Sequence, residues 1–324
     1  MLTPAYKLTL GSGSQQSGKA SDLLDLETRA ALGIPVNICR VVLNGEASID
    51  LNPEDAVSIQ LGYGEALPKV FTGKVTTVGR GIEQTSVNSA SAFNALATTR
   101  CNCLYEKQNA GDIAGDLLGR LNIGKARLAA GEKFASFSVS GQHLVWDVLS
   151  ELALRCGFDF YADTSDRAVF QAYAPHKIHS VEYGLHLLDY LQETFAHQLD
   201  GVEVYGESPV GQGEGEKANT WLTKKEVKGS AGKTNGNILR LTDAVARSPD
   251  QVRVFAANIL QAKQSQLRGR LRVLGNPDIQ LGDAVAVSKM PRSSQNGTYK
   301  VTSVRHRLNA RVGFVTEVGW ERVK

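Results

Sequence analysis

The sequence is poor in cysteine, with only four in 324 residues. This number is too small for a disulfide scaffold in a chain of this length. Only Cys101 and Cys103 are close together, whereas a structural zinc site usually has C-x2-C pairs and two further ligands. We therefore expect reduced thiols in strands or cores, no metal and no cofactor. Reduced thiols also fit synthesis in the cytoplasm.

An excess of charge and long apolar runs are missing as well. The 36 Lys and Arg side chains nearly balance the 33 Asp and Glu, which leaves a net charge of +3. This balance argues against a strongly basic nucleic-acid-binding protein. No run of about 18 apolar residues is present, so we expect no membrane insertion by a helix. The stretch Met1–Lys7 lacks the basic start and apolar segment of a signal peptide, and we expect none.

Glycine, in contrast, is abundant, with 32 Gly against nine Pro. A glycine-rich chain without low complexity usually contains many turns and therefore many strands. Several segments of the first hundred residues alternate between apolar and polar side chains, as half-buried strands do. The predicted strands there are 5–10, 36–43, 56–61, 70–78 and 86–92. Residues 23–32 have some helical spacing but lie between two strands, which leaves helix and strand both open.

The middle of the chain changes character and predicts a small α+β domain over residues 105–180. Asn109 can cap a helix in which Ile113, Leu117 and Leu121 are four apart. A second apolar stripe predicts a helix over 142–156, and Gly157 follows as a stop signal. Residues 158–161 and 168–173 then predict a β-hairpin. We place a first domain before this segment, over residues 1–104.

The remaining residues, 181–324, predict a third domain that is again rich in strands. Residues 206–237 contain much Gly, Lys, Glu and Ser, which is typical of an exposed excursion. Ser248 and Pro249 then form a helix start, and the apolar spacing predicts a helix over 248–267. The segments that follow are strand and turn. The predicted fold class is thus mainly β with an α+β insert.

A self-similarity links the two ends of the chain. The segments Asp55–Ile59 and Gly73–Val78 resemble the segments Asp283–Val287 and Tyr299–Val304 in residue type and spacing. One interpretation is chance, since hairpins of alternating Val and Thr look alike. The other is an internal duplication, with two tandem β-barrel domains flanking the α+β domain. A trimer of such a chain would present six similar units in a ring.

Two glycine-rich segments are candidate phosphate-binding loops. Residues Gly13–Lys19 match G-x-x-x-x-G-K, but Ala20 replaces the Ser or Thr that would hold Mg²⁺. Gly229–Thr234 has the final G-K-T but lacks the first glycine at the right distance. A nucleotide-binding enzyme using Gly13–Lys19 is therefore an alternative hypothesis, less favoured than a polar β-hairpin loop. No catalytic residues are predicted.

Histidines and arginines provide two further candidate sites. His176 and His179 are three apart, but no Glu or Cys completes a metal site near them. Arg268, Arg270 and Arg272 alternate, so that they would lie on one face of a strand. One interpretation is a solvated face or a surface of ion pairs between subunits. The other is a positive surface that would make the chain a polyanion-binding module. Specific nucleic-acid binding is not expected, because no aromatic side chains are interleaved with these arginines.

Motifs along nearly the whole chain resemble one family. They are Phe71–Val75, Ala110–Ile113, Cys156–Tyr161, Trp221–Lys224, Leu267–Arg270, Leu281–Val285, Asn296–Val301, Val304–Leu308 and Gly313–Glu317. In this order and spacing they resemble the phage late control gene D proteins. These are the baseplate hub proteins of contractile phage tails and related extracellular contractile injection systems. The resemblance leaves phage tail and injection system both open.

The resemblance implies a structural protein, with no enzyme activity, that forms a homotrimer. Two tail-tube-like barrels per subunit would build a pseudo-hexameric ring that joins a hexameric inner tube to a trimeric spike. Because the sequence ends at Lys324, shortly after the second barrel, we expect the spike to be a separate chain. Other baseplate proteins would be further partners. The residues expected at the subunit or tube interface are Lys74, Val75, Thr76, Thr77, Val78, Tyr299, Lys300, Val301, Thr302 and Arg305.

Overall fold

The structure is a computed structural model. It describes residues 3–16, 22–45, 50–196, 199–206, 227–264 and 267–322, without the side chains of 14–16. Strands dominate it, and three α-helices are present in the described residues. The predicted mainly β fold class is confirmed. The excursion predicted at 206–237 lies outside the described residues for 207–226, as does the Trp221–Lys224 motif.

Seven strands form the N-terminal part of the chain. They are β1 (Pro4–Leu10), β2 (Gly13–Gln16), β3 (Leu23–Ala31), β4 (Ile38–Asn44), β5 (Ala56–Tyr63), β6 (Lys69–Arg80) and β7 (Gln84–Ala90). The strands lie in the order β3-β4-β7-β6-β5-β1-β2. Their alternating apolar residues surround one core that includes Leu8, Leu26, Val41 and Ile59, all fully buried. We call strands β1 and β3–β7 the N-terminal β unit. The segment 23–32, whose spacing allows helix or strand, forms β3 over Leu23–Ala31.

Six strands form the matching C-terminal β unit. They are β13 (Ile178–Glu182), β14 (Leu187–Thr194), β18 (Leu267–Leu274), β19 (Ala284–Ser288), β20 (Gly297–Asn309) and β21 (Gly313–Glu321). They lie in the order β13-β19-β20-β21-β18-β14. A second core fills this unit, with Leu271, Val285, Tyr299 and Trp320 buried in it. The two β units join through an antiparallel ladder between β3 and β20, which makes them one 13-stranded sheet.

An α+β insert separates the two units along the chain. It starts with β8 (Cys103–Asn109), α1 (Ala110–Arg120), β9 (Gly124–Leu128), β10 (Lys133–Val139), α2 (Val145–Cys156), β11 (Phe158–Ala162) and β12 (Arg167–Ala172). The two predicted helices and the 158–173 hairpin are therefore confirmed. Asn109 occupies the N-cap position of α1, but its amide donates to Asp112 and no side-chain hydrogen bond caps a backbone N–H. Gly157 ends α2 in the left-handed conformation with φ of 67°.

The insert also includes residues from the later part of the chain. Strands β15 (Gly201–Gly206), β16 (Lys228–Gly232) and β17 (Ile238–Asp243) form a small sheet, and α3 (Pro249–Lys263) packs on it. Phe255 and Ile259 of α3 share the insert's hydrophobic core with Leu149 of α2. Packing therefore departs from the predicted boundaries 1–104, 105–180 and 181–324, because residues 201–206 and 227–263 pack with the middle domain instead of the second barrel. The boundaries themselves stay a prediction.

The third helix starts as predicted but ends early. Ser248 is the N-cap, and its Oγ accepts a hydrogen bond from the Gln251 N–H at 3.2 Å. The helix ends at Lys263, and Leu267 already begins strand β18. The prediction of a helix up to 267 was wrong at this end. Apolar spacing did not separate the end of the helix from the alternating pattern of the next strand.

A partly buried carboxylate ties the β11–β12 turn to the short segment that follows β7. Asp166, in the β11–β12 turn, has φ of 62°. Both its carboxylate oxygens accept from the Ala92 N–H, at 2.9 and 2.8 Å. Burial raises the pKa of Asp166 from 3.8 to about 6, while the Ala92 hydrogen bond acts in the opposite direction. The folded protein therefore holds the ionised form less favourably than the unfolded chain does.

We expect Asp166→Asn to stabilise the protein above pH 6. Because the pKa is higher in the folded state, ionisation of Asp166 opposes folding increasingly as the pH rises from about 4 to about 6. Asparagine keeps an acceptor oxygen and tolerates the left-handed backbone. The midpoint of thermal unfolding should rise by a few degrees (about 2–4 °C) at pH 8 and stay unchanged at pH 4. A variant that is less stable at pH 8 would contradict this account.

Candidate functional site

The ladder between β3 and β20 joins the two β units. Its register places Arg305 opposite Arg29 and Asn309 opposite Asp25. Beyond the ladder, the Leu32 N–H donates to the Thr302 carbonyl at 2.9 Å. Because strand edges recognise each other through backbone hydrogen bonds, an edge junction of this kind can also form between chains.

Ion pairs fix the register of this junction. The Arg305 guanidinium contacts Glu27 of β3 at 2.6 Å and Glu317 of β21 at 3.3 Å. The hydrogen bond to Glu27 raises the pKa of Arg305 above its usual range. Asp25 accepts from Arg307 at 3.3 Å and from the Asn309 amide at 2.6 Å. A one-residue slip would turn these partners to opposite faces of the sheet, so the charges specify one pairing.

The two β units repeat each other strand by strand. When β1, β3, β4, β5, β6 and β7 are matched with β13, β14, β18, β19, β20 and β21, the strand order is the same in both units. The β-bulges match as well. Strand β6 shifts register between Val75 and Thr77, and β20 shifts between Val301 and Ser303. One difference remains: β1 runs antiparallel to β5, whereas β13 runs parallel to β19.

The loops that enter β5 and β19 also match. The Val75 N–H donates to the Asp55 carbonyl at 2.8 Å, and the Val301 N–H donates to the Asp283 carbonyl at 3.0 Å. The residue before each aspartate has a positive φ, 75° at Glu54 and 87° at Gly282. The sequence similarity between the two ends of the chain therefore corresponds to a repeated structure, and the chance interpretation is the weaker one.

Equivalent lysines have different surroundings in the two units. Lys74 is exposed and pairs with exposed Glu54 at 3.0 Å. Its equivalent, Lys300, has a side chain only 10% exposed and contacts Asp159 of the insert at 2.6 Å. A second carboxylate, Glu321, lies 3.7 Å from the same ammonium. Lys300 thus ties the insert to the C-terminal β unit, whereas Lys74 points to solvent.

The ten residues predicted at an interface fall into two groups. The side chains of Val75, Tyr299 and Val301 are fully buried in the cores of their own units, and Lys300 is buried at the insert. The others are at least partly accessible: Lys74, Thr76, Thr77, Val78, Thr302 and Arg305. Arg305 is engaged in the β3–β20 junction. Of the ten predicted interface residues, those that remain accessible in the single chain therefore lie mainly at the end of β6.

The alternating arginines lie on the exposed face of β18. Arg268, Arg270 and Arg272 are all exposed, as their alternation predicts. Acidic residues stand directly beside them, because Asp189 and Glu317 flank Arg272 on the two neighbouring strands. The face is consequently mixed in charge, and the intervening carboxylates reduce its attraction for a polyanion.

The proposed phosphate loop is partly a β-hairpin. Gly13–Gln16 form β2, which pairs with β1 so that Gly13 lies opposite Leu10. Ser17 to Ala20, including Lys19, lie outside the described residues. A phosphate-binding loop joins a strand to a helix N-terminus, and no helix follows β2 in the described part of the first 100 residues before the short 3₁₀ turn at Ala92. In the second segment, Gly229–Gly232 lie in β16, and Lys233 pairs with Asp200 at 3.4 Å.

His176, His179 and His306 each have a side-chain partner within the chain. The His179 ring pairs with buried Asp283 at 2.8 Å, and the His176 ring contacts Arg127. Burial lowers the pKa of His306 to about 4, so this histidine is neutral at physiological pH. All four cysteines are free, and burial raises the pKa of the Cys39 thiol. Within the described ranges, no group of three His, Cys, Asp or Glu side chains is placed to hold a metal ion.

One known family matches most of the chain. The family model described as the Alg8 N-terminal domain matches residues 45–310. The chain belongs to the Alg8 N-terminal domain family. The match spans β5 of the N-terminal unit, the insert and most of the C-terminal unit, including both halves of the repeat in β6 and β20.

Solved structures show the fold of this Alg8 N-terminal domain family member. The 43 kDa tail protein of prophage MuSo2 from Shewanella oneidensis aligns with a TM-score of 0.74 at 12% identity, covering 99% of this chain and 98% of that one. A tail protein from Neisseria meningitidis gives 0.71 at 13%, covering 99% and 96%. A type VI secretion system component from E. coli gives 0.61 at 12%, covering 98% and 77%. No curated protein matches in sequence.

One feature of this family member escaped the sequence analysis. Strand β14 lies at the end of the large sheet. Three apolar side chains in it or directly after it are exposed: Leu188 by 49%, Leu191 by 40% and Phe195 by 41%. The same residues read as an ordinary strand, because alternation alone does not tell an edge strand from a central one. In the described part of the chain, no helix is long and apolar enough to cross a membrane.

Proposed function

We propose that the chain is a structural, non-enzymatic baseplate hub protein of a contractile phage tail or contractile injection system. Three copies form a pseudo-hexameric ring between a hexameric inner tube and a trimeric spike. The observation that carries this proposal is the internal repeat, in which two β units with the same strand order are joined edge to edge. A repeat of two units per chain lets a three-fold ring match six-fold and three-fold partners.

Other observations support the same function. The fold is shared over nearly the full length with the prophage MuSo2 tail protein from Shewanella oneidensis and with a tail protein from Neisseria meningitidis. The motifs that resemble late control gene D proteins include Phe71–Val75 and Asn296–Val301, which lie in equivalent strands β6 and β20 or directly before them. In this proposal the accessible residues Lys74, Thr76, Thr77 and Val78 face a neighbouring subunit or the inner tube, together with Thr302 and Arg305.

Native mass spectrometry tests the proposal. We expect a species of three times 34.9 kDa at concentrations on the order of 10–100 µM, and a ring with six similar densities in negative-stain images. Co-expression with tube and spike genes from the same locus should increase the trimer. A chain that stays monomeric alone and with those partners would overturn it. Capsid genes beside the tube and sheath genes would assign the ring to a phage tail.

The two alternatives have their own tests. A nucleotide-binding protein would bind ATP in a way that Lys19→Ala abolishes, and we expect no ATP binding by either form. A polyanion-binding module would bind nucleic acid with an affinity that falls steeply with salt. Because Asp189 and Glu317 flank the arginines of β18, we expect no such binding at physiological salt.

A further inference from the structure

The junction between the two β units leaves a matching pair of edges unused. In that junction, β3 pairs with the second half of β20, from Ser303 to Asn309. The repeat makes β14 the equivalent of β3 and β6 the equivalent of β20. Among the described residues, β14 pairs with β18 alone, and the part of β6 after Val75 pairs with β7 alone. Both equivalents of the junction strands thus have an open edge.

These two edges do not pair with each other in the described sheet. Six strands lie between them in the order β14-β18-β21-β20-β3-β4-β7-β6, so the edges stand at opposite ends of this run. The first half of β6 continues the sheet by pairing with β5, as the first half of β20 pairs with β19. No strand in the described ranges of the same molecule pairs with either edge, so each edge is available to a strand of another molecule. The molecule that carries both complementary edges is a second copy of this chain.

We infer that β14 of one copy pairs antiparallel with the end of β6 of the next copy, in the register of the β3–β20 junction. The matched bulges show which residues are equivalent. Strand β3 shifts register between Leu23 and Asp25, and β14 shifts in the same way between Leu187 and Asp189. Phe195 then lies opposite Thr77, and Glu193 lies opposite Gly79. This inference deepens the proposed function, on which it rests for the number of copies.

Backbone and side chains fit this pairing. The equivalent of the Leu32 to Thr302 hydrogen bond is one from the Ala196 N–H to the Thr76 carbonyl of the neighbouring copy. Gly79 and Gly81 offer no side chain that would obstruct Glu193 and Leu191 opposite them. The internal junction has the charged pair Glu27 and Arg305. The equivalent positions in the inferred junction are Leu191 and Gly79, so the contact between copies is more apolar than the internal one.

Exposed apolar side chains mark both edges. Leu188, Leu191 and Phe195 lie along β14 or at its end, 40–49% exposed. At the tip of the β6–β7 hairpin, Ile82 is 99% exposed. Its equivalent in the repeat is Leu308, which is only 8% exposed and packs in the core of the adjoining unit beside Leu26. Long apolar edge strands left uncovered lead to uncontrolled association, so a specific partner strand is the expected cover.

Cysteine cross-linking tests the register directly. A variant with Thr77→Cys and Phe195→Cys places two exposed positions opposite each other across the inferred junction. The matched control has Thr77→Cys and Thr194→Cys, which are one residue out of register and on opposite faces of the strands. The parent chain, oxidised in parallel, measures the contribution of the four native cysteines.

We expect the in-register variant to give roughly tenfold more covalent oligomer than the control after mild oxidation, with covalent trimer as its largest species. Equal cross-linking of the two variants would overturn the inference. If native mass spectrometry still shows a trimer in that case, the proposed function stands and only this junction is wrong. In-register cross-links with dimers or open chains but no trimer would keep the junction and overturn the three-fold ring. A monomer without cross-links would overturn both.

Discussion

Replacing Lys300 with methionine is expected to lower the free energy of unfolding by about 3–4 kcal/mol. The Lys300 ammonium lies 2.6 Å from Asp159 and 3.7 Å from Glu321, and all three side chains are at most 24% exposed. Methionine fills most of the volume but leaves the partly buried Asp159 carboxylate without its cation, while Glu321 keeps only the longer contact with Arg268, at 3.9 Å. Breaking a buried pair on one side costs more than the pair contributes, because the remaining charge stays desolvated.

The repeat supplies a matched control. Lys74 occupies the equivalent position, but its side chain is 62% exposed and pairs with Glu54, which is 78% exposed. Lys74→Met should therefore change stability by less than about 1 kcal/mol. Chemical denaturation of both variants measures the difference. Equal effects at the two positions would show that the contact of Lys300 with the insert adds nothing to stability.

Gly269→Ala should destabilise the protein by about 2–4 kcal/mol. A Cβ atom at this position of β18 would overlap with the Leu191 carbonyl of β14 and with the indole ring of Trp320. Trp320 is 1% exposed and packs on the Tyr299 ring, so it has little room to move. The strand must shift away from β14 or the core must open.

The equivalent residue in the N-terminal β unit is Cys39, which stands opposite Ser89 where Gly269 stands opposite Trp320. Cys39→Ala removes one buried atom and should cost about 1 kcal/mol. The two substitutions thus introduce alanine at equivalent positions but lower stability by different amounts. Gly269→Ala overfills a core, whereas Cys39→Ala leaves a small cavity. A thermal midpoint that falls more for Cys39→Ala would contradict this reasoning.

The sequence predicted much of the architecture because its signals were local. The helix start at Ser248-Pro249, the stop at Gly157 and the hairpin at 158–173 depend on neighbouring residues, and all three are present. The similarity of Asp55–Ile59 to Asp283–Val287 even predicted which strands are equivalent. These features need no knowledge of how distant segments pack.

Features set by long-range packing were not accessible in the same way. The pattern of α3 does not show that Phe255 joins the core of the α+β insert instead of the second barrel. Nor does the alternation of Val75, Tyr299 and Val301 tell a core-facing strand residue from one at a subunit interface. Burial in this sheet depends on which strand becomes the neighbour, and for β3 with β20 and β13 with β19 that neighbour is more than a hundred residues away.

The ion pair between Glu27 and Arg305 spans 278 residues of the chain. During synthesis at about 5–20 residues per second, the edge of β3 waits on the order of tens of seconds for β20 to leave the ribosome. In that interval a neighbouring nascent chain can supply the missing strand, and the resulting exchanged junction would have the same contacts as the native one. Translation speed and ribosome spacing on the message should therefore affect how many chains assemble correctly.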